Sequence, residues 1–276
     1  EKEPVEHFTL DYVFSRVDSA GIQSRYFLNN IYLEHLYSGY NRIDGDFLDA
    51  ASDDAISIDN NSPEIYKLFM GRYSAVSRLR DMEWGAYYQG IRKANILINN
   101  IDVVPFNLTY VNALGETKPL NYTMKAEARF LRAYFYFELV KRYGGVPLVG
   151  DNVYVLGDDV QLPRNTFAQC IDYIIGELDE IKDDLRSLPM SDATEFAHAP
   201  TKETCLAMKA RVLLYAASPL FNEKPLEAGN ELIGYASYDS QRWNLAAQAA
   251  KDLIDQYGPK GKGCLLYTSP SPRDCS

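Results

Sequence analysis

The chain has 276 residues, of which 46% are hydrophobic and 24% charged, so it has enough apolar mass for the core of one large domain or two small ones and is not expected to be disordered. Its formal net charge of −10 argues against a surface that binds nucleic-acid phosphates or anionic lipid, and we expect no nucleic-acid partner. The sequence has no run of 18 apolar residues and does not begin with the basic and apolar residues of a signal sequence, so we expect that any such leader was removed.

Helical periodicity dominates the N-terminal part of the sequence. Apolar side chains between positions 9 and 36 recur at helical steps and predict one long helix, or one that is broken at Gly21. Residues 37–80 are rich in Gly, Asn and Asp and predict loops with one short helix after Pro63. The helical period returns at 81–101.

Turn residues delimit the next elements. Residues 106–121 predict a loop by their Asn, Gly and Pro content. Apolar side chains at steps of three and four predict a helix over 125–143, which ends at Gly144 and Gly145 because glycine accepts the left-handed capping conformation. A Val-rich run follows at 146–160.

Three further helices follow this run. Thr166 and Gln169 have the spacing of a capping box and predict the start of the first. Its apolar face comprises Ile171, Ile174, Leu178, Ile181 and Leu185. The other two are predicted at 201–218 and 240–257. About six helices and few strands result, so the predicted fold class is mainly all-α.

An internal repeat relates these helices. A bulky aromatic residue, smaller groups three and four positions later and another seven positions later recur from Trp84, Phe167 and Trp243. Small-large-small faces occur on two other helices, formed by Ala126, Phe130 and Ala133 and by Ala210, Leu214 and Ala217. The pattern resembles tetratricopeptide helix pairs, here with long loop insertions because the copies recur at roughly 80 residues instead of about 34. Any antiparallel packing of helices can also select such faces, and this alternative stays open.

Sequence motifs of known catalytic and metal sites are absent. The chain has no GxSxG, HExxH, Walker or GxGxxG motif. The histidines lie far apart and without neighbouring ligands, at His7, His35 and His198. Three pairs of adjacent carboxylates point their side chains in different directions and are typical of solvated ends or caps: Asp53-Asp54, Asp158-Asp159 and Asp183-Asp184. We predict no catalytic residue, metal or cofactor, although the number of carboxylates leaves a glycosidase pair open.

The four cysteines divide into two groups. Residues 264–276, which include Cys264 and Cys275, differ in composition from the helical pattern and resemble a translated sequencing-library adapter. We expect this tail to be non-native and the natural sequence to be interrupted at about Gly263. Cys170 and Cys205 lie on apolar helical faces without metal-ligand spacing, so we predict buried free thiols.

Several segments resemble one known family. The stretch 124–148, MKAEARFLRAYFYFELVKRYGGVPL, resembles the signature helix and turn of the SusD/RagB family. Residues 84–95 and 200–220 resemble the preceding and later helices of that family. The segment 50–55, AASDDA, lies where members carry a Thr/Ser-Asp-Glu sequence. The resemblance extends over about 8–257.

This resemblance implies a lipid-anchored outer-membrane protein that faces the cell exterior and delivers glycans or other oligomeric nutrients to a SusC-like TonB-dependent transporter. Members fold as a tetratricopeptide-like helical layer that supports an irregular ligand-binding layer. They are about twice as long as this chain. We therefore expect residues 1–263 to be the helical N-terminal region of a truncated SusD-like fold, and the anchoring residue to lie outside this sequence.

Glycan binding by such a protein needs no covalent step. Aromatic planes pack on the apolar faces of sugar rings, while carboxylate, amide and guanidinium groups bind the hydroxyls. The candidate residues lie in the insertion before Trp84 and are Asp53, Asp54, Asn60, Arg72 and Tyr73. Structural roles stay open for each: a helix cap for the Asp pair, a turn for Asn60, and exposed helical side chains for the last two.

Two other functions remain as alternatives. A tetratricopeptide scaffold for a peptide or protein predicts regular short repeats, whereas this chain has long insertions. A helical glycoside hydrolase predicts two carboxylates about 5–9 Å apart in a cleft.

Overall fold

The predicted all-α architecture is confirmed. The computed structural model describes residues 9–35, 42–43, 46–57, 63–74, 76–77, 84–155, 157–188, 199–224, 226–227 and 229–258. Within these ranges the α-helices are α1 (Leu10–Val13), α2 (Ile22–His35), α3 (Pro63–Phe69), α4 (Trp84–Asn100), α5 (Leu120–Tyr143), α6 (Phe167–Ile181), α7 (Lys202–Ala217) and α8 (Gln241–Tyr257). The strands form two short antiparallel pairs, β1 (Arg42–Ile43) with β2 (Asp46–Phe47) and β3 (Thr109–Val111) with β4 (Thr117–Pro119). Tighter 3₁₀ turns occur at Leu48–Ala51 and Ile101–Val103.

The N-terminal helix is broken near the predicted glycine. Residues 14–21 separate α1 from α2, and Gly21 has φ +60°, a conformation that favours glycine. The predicted short helix after Pro63 is α3. The expectation of a plain loop at 106–121 is wrong, because this range contains β3 and β4 and the first two residues of α5. Each strand has only three residues, which is too short for alternation to be recognised in the sequence.

Helices α4 and α5 pack antiparallel. The ring centroids of Trp84, at the start of α4, and Tyr143, at the end of α5, are 5.1 Å apart. Gly90 lets the helices approach closely, since a Cβ atom there would lie 2.7 Å from the ring of Phe135. At the other end, the Lys125 ammonium lies 2.6 Å from the carboxylate of Asp102. The two segments at the centre of the sequence resemblance are therefore direct neighbours.

The same antiparallel order continues through α6, α7 and α8, and α2 packs on the other side of α4. Tyr136 near the end of α5 meets Tyr173 near the start of α6, with ring centroids 5.3 Å apart. Asp179 of α6 binds Lys209 of α7 at 2.7 Å, while Lys202 at the start of α7 binds Asp183 just after α6 at 2.7 Å. We call α2 and α4–α8 the helical stack.

The core of the stack centres on α5, where Phe135, Tyr136 and Phe137 are fully buried. The predicted apolar face of α6 is buried, as are Cys170 and Cys205, which are free thiols. Two details of the repeat are wrong. The large residues Trp243 and Leu214 are 39% and 53% exposed, whereas Ala246 and Ala217, the small residues three positions after them in the pattern, are buried.

The Gly-Gly turn after α5 joins three segments. Gly144 has φ +70°, and a Cβ atom there would lie 2.2 Å from the carbonyl oxygen of Leu232. A Cβ atom on Gly145 would lie 2.0 Å from the carbonyl oxygen of Asn165. Arg164 donates to the carbonyl of Gly145 at 2.7 Å. Only glycine permits these approaches, which explains the turn that follows the signature helix.

A buried charge network crosses the centre of the stack. Arg132 of α5 donates to Glu177 of α6 at 2.6 Å and to the side-chain oxygen of Asn95 of α4 at 2.7 Å. Arg129 forms a second ion pair with Glu177 at 2.7 Å. The Asn95 amide in turn donates to the carbonyl of Gly150 at 2.9 Å and so holds the segment after α5 against α4.

A second buried acid lies where α2 meets α5. Glu127 accepts hydrogen bonds from Tyr32 at 3.2 Å and Thr123 at 3.3 Å, and its carboxylate is 3.3 Å from the Arg186 guanidinium. Burial raises the pKa of Glu127 from 4.5 to about 7, against the opposing effect of Arg186. The Glu127 carboxyl is therefore a buried group in the interior of the fold that titrates near neutral pH.

Candidate ligand-binding surface

The insertion that precedes α4 has a small core of its own. We use "insertion segment" for the described residues at 42–43, 46–57, 63–74 and 76–77. Ala50 of the 3₁₀ turn and Ile65 of α3 are buried in one apolar cluster. Ala51 and Leu68 pack against this cluster and are partly buried. Pro63 occupies the first helical position of α3, where its fixed φ suits the helix and its missing N–H costs nothing. This core is separate from that of the helical stack.

Large apolar side chains of the insertion segment face solvent instead of this core. They are Phe47, Leu48, Ile56, Tyr66, Phe69, Met70, Tyr73 and Val76. Tyr66 is 56% exposed and Tyr73 47% exposed. Exposed aromatic rings on a supported segment provide the flat apolar faces on which sugar rings pack.

Four of the five candidate residues lie on this segment, in two pairs. Asp53 and Asp54 are exposed in the bend after the 3₁₀ turn, and the Asp54 N–H donates to the Ser52 hydroxyl at 3.3 Å. Arg72 and Tyr73 are exposed just after α3, so they are not helical side chains as one alternative held. Because the 3₁₀ turn and α3 pack on each other, both pairs belong to one small substructure. Asn60 lies outside the described residues, as do His7, His198 and the tail 264–276.

A polar cavity that the sequence analysis missed lies on the helical stack. It has a volume of about 380 Å³ and lies between the 3₁₀ turn after α4, the start of α5 and the end of α6. Its polar lining consists of Asp102, Asn121, Tyr122, Lys125, Arg129 and Asp184. The available signal was the spacing of Tyr122, Lys125 and Arg129, which places them on one face of α5.

Ion pairs hold the charged groups of this cavity in place. The two oxygens of Asp102 accept from the Asn121 amide at 3.1 Å and from the Lys125 ammonium at 2.6 Å. Asp184 lies 2.8 Å from Lys118. Hydrogen bonds to Glu177 raise the pKa of Arg129 above its ordinary value, so this guanidinium is charged at every physiological pH. The cavity is thus lined by donors and acceptors that are already paired with protein groups.

Within the described part of the chain, no three His, Cys, Asp or Glu side chains form a group that could hold a metal ion. The carboxyl with a raised pKa, Glu127, is buried and points to Arg186 and Tyr32, away from the cavity. Among the same residues, no helix is both long and apolar enough to cross a membrane.

Comparison with known proteins identifies the family. The SusD-like family model, described as starch-binding and associating with the outer membrane, matches residues 22–214. SusD-like protein P38 of Formosa agariphila is 27% identical over 164 residues, which cover 59% of this chain and 29% of that protein.

Solved structures share the fold. A SusD-like protein of Bacteroides fragilis superposes with a TM-score of 0.63 at 24% identity, over 92% of this chain and 40% of that one. A laminarin-binding SusD-like protein superposes with a TM-score of 0.62 at 18% identity, over 88% and 46%. The chain therefore spans less than half the length of these relatives. Because the family model covers most of the helical stack and the insertion segment, the chain belongs to the SusD-like family.

Proposed function

We propose that the protein binds glycans at the outer surface of the outer membrane, without cleaving them, and delivers them to a SusC-like TonB-dependent transporter. The observation that carries this proposal is the insertion segment, whose aromatic side chains face solvent on a scaffold of a family described as starch-binding. Tyr66 and Tyr73 act as the stacking faces, and Asp53, Asp54, Asn60 and Arg72 supply hydrogen bonds to hydroxyls.

Neutral glucans are the first ligands to test. The family description names starch, and one relative of the same fold is named for laminarin binding. An affinity-gel panel should contain both polysaccharides, and product release should be measured on the same panel. Retarded migration without released sugar supports the proposal. Released sugar favours the hydrolase, and migration unchanged on every glycan favours the peptide-binding scaffold.

Matched variants locate the binding to the insertion segment. Replacing both Tyr66 and Tyr73 by alanine removes two stacking faces worth about 0.5–1.5 kcal/mol each, so we expect affinity to fall by roughly five-fold to 150-fold. Tyr26→Ala is the control, since Tyr26 is an even more exposed tyrosine, on α2. Equal affinity of all three proteins would contradict the assigned residues.

The transporter partnership and the anchor are part of the same proposal. Co-purification with a TonB-dependent barrel encoded beside this gene tests the partnership, and palmitate labelling of the natural precursor tests the anchor. We also propose that 1–263 form the incomplete helical region of a longer SusD-like protein and that 264–276 are non-native. Sequencing the genomic coding region beyond codon 263 tests this directly, because a native continuation different from 264–276 is expected.

A further inference from the structure

We infer that the polar cavity at the start of α5 is a second carbohydrate site, which takes a single neutral glycosyl unit and is independent of the insertion segment. Its volume of about 380 Å³ lies within the roughly 300–1,000 Å³ of small-molecule sites. The choice of glycans as its ligand rests on the proposed function. The arguments for the site itself come from its shape, its aromatic wall and its charges.

The walls of the cavity come from three elements whose positions the core fixes. Asp102 follows α4, Tyr122 and Lys125 belong to the first turns of α5, and Asp184 follows α6. Ala126 and Ile181 form its apolar floor, and both are buried in the stack. A site on such elements keeps its geometry without a ligand, which lowers the entropic cost of binding.

One wall provides an apolar face. Tyr122 is 48% exposed, and the Lys118 ammonium lies 5.5 Å from its ring centroid. Lys118 is itself paired with Asp184, so the ring borders a fixed charge on one side. An exposed aromatic plane beside fixed polar groups is the arrangement that suits a sugar, which has apolar C–H faces and equatorial hydroxyls.

The polar groups can pair with each other and still bind a ligand. An ammonium has three donors and a carboxylate has about four acceptor positions, so the contact between Lys125 and Asp102 leaves capacity at both groups. The Asn121 amide adds a donor and an acceptor in the same wall. Lys125, Asp102 and Asn121 can therefore keep their contacts with each other and still form hydrogen bonds to the hydroxyls of a sugar.

The charge balance selects the class of sugar. Two carboxylates, Asp102 and Asp184, and two cations, Lys125 and Arg129, line the cavity, so its formal charge is zero. Arg129 is further neutralised by Glu177 and Glu180. A phosphate, sulfate or uronate would therefore meet no surplus of positive charge, whereas a neutral glycosyl unit carries no charge to compensate.

Titration calorimetry with laminarihexaose and maltohexaose tests the inference. At least one of these neutral probes should bind the wild-type chain at two sites. The double variant Tyr122→Ala, Lys125→Met should weaken one site at least tenfold and reduce the stoichiometry to one, and Asn121→Ala should weaken the same site. Hexagalacturonate, which is anionic, should not bind at the cavity. Thermal unfolding of each variant serves as the control for folding.

The outcomes separate this inference from the proposed function. One site in the wild-type chain that survives the cavity variants but is lost in the Tyr66→Ala, Tyr73→Ala variant would overturn the inference and leave the proposed function standing. One site that is lost only in the cavity variants would support the inference and contradict the role of the insertion segment. The inference would also be overturned if neither neutral probe bound. It would be overturned as well if hexagalacturonate bound in the cavity more tightly than the neutral probes.

Discussion

The helical stack and the insertion segment use aromatic side chains in opposite ways. In the stack, Phe135, Tyr136 and Phe137 are fully buried between antiparallel helices. In the insertion segment, a core of only Ala50 and Ile65 supports Tyr66, Phe69 and Tyr73 at the surface. Burial of apolar area stabilises the first region, whereas the second leaves that area available to a ligand. The stack therefore uses these aromatic side chains for stability, and we propose that the insertion segment uses its own for recognition.

Truncating an aromatic ring in each region tests this division most strongly. Phe135→Ala leaves a cavity beside Gly90 and should lower the free energy of unfolding by about 3–5 kcal/mol. Phe69→Ala, at an exposed position of α3, should change it by less than about 0.5 kcal/mol. Denaturant unfolding measures both. Equal losses would mean that the insertion segment also contributes to the main core.

The buried acid of the stack should give stability a defined pH dependence. Because the pKa of Glu127 is raised to about 7, the folded chain keeps a proton that the unfolded chain releases near 4.5. Its contribution is therefore fully present below pH 4.5 and is lost as the pH rises to about 7, by up to about 3 kcal/mol.

Denaturant unfolding across this pH range checks the sign. The difference in unfolding free energy between wild type and Glu127→Gln should decrease from pH 4.5 to 7, since glutamine does not titrate. Glu231→Gln, at an exposed position, is the matched control for the substitution itself. A difference that increases with pH would show that Arg186 keeps Glu127 ionised in the fold.

Replacing two glycines of the stack by alanine compares a crowded position, Gly90, with an open one, Gly176. Gly90→Ala places a methyl group 2.7 Å from the Phe135 ring and should destabilise the fold by about 1–3 kcal/mol. Gly176→Ala, on α6, where a Cβ atom would meet nothing within 4 Å beyond its chain neighbours and the backbone of its own helix, should instead stabilise the fold by about 0.5–1 kcal/mol. Thermal or denaturant unfolding of both variants measures the sign of each change. The same sign for both would contradict the close approach of α4 and α5.

A further effect, smaller than that of the buried ring or the buried acid, concerns a helix end. Thr166 accepts from the Gln169 N–H, and the Gln169 side chain accepts from the Thr166 N–H, as the sequence predicted. Thr166→Ala should lower the free energy of unfolding by about 1 kcal/mol, measured by denaturant unfolding. No change would indicate that the contact of Gly145 with residues 165–166 fixes this end without the cap.

The fold was predictable from sequence where local chemistry determines it. The periodic face of α6, its capping box and the end of α5 at Gly144 follow from rules that involve neighbouring residues. The β3–β4 hairpin and the exposure of Leu214 and Trp243 depend on which elements pack together, and periodicity does not report that. Arg132 and Glu177 are 45 positions apart in the sequence, so no local sequence pattern predicts their ion pair.

The candidate sites divide in the same way. The insertion segment was predictable because a loop-rich stretch with aromatic and acidic residues interrupts the helical period. The cavity was not, since its lining comes from three elements that meet only in the folded stack. The face of α5 that carries Tyr122, Lys125 and Arg129 was visible in the sequence, but Asp102 and Asp184 were needed to make it a cavity.

Hydrogen exchange, measured with and without a glycan that the protein binds, tests most directly whether the stack provides stability and the insertion segment provides binding. Without ligand, amides of α4–α6 should exchange only through global unfolding, whereas those of residues 63–74 should exchange through local opening, because their core is so small. With ligand, protection should increase in residues 63–74, and the interior of α5 should not change. Residues 63–74 that exchange as slowly as α5, or that gain no protection from a bound glycan, would contradict the account.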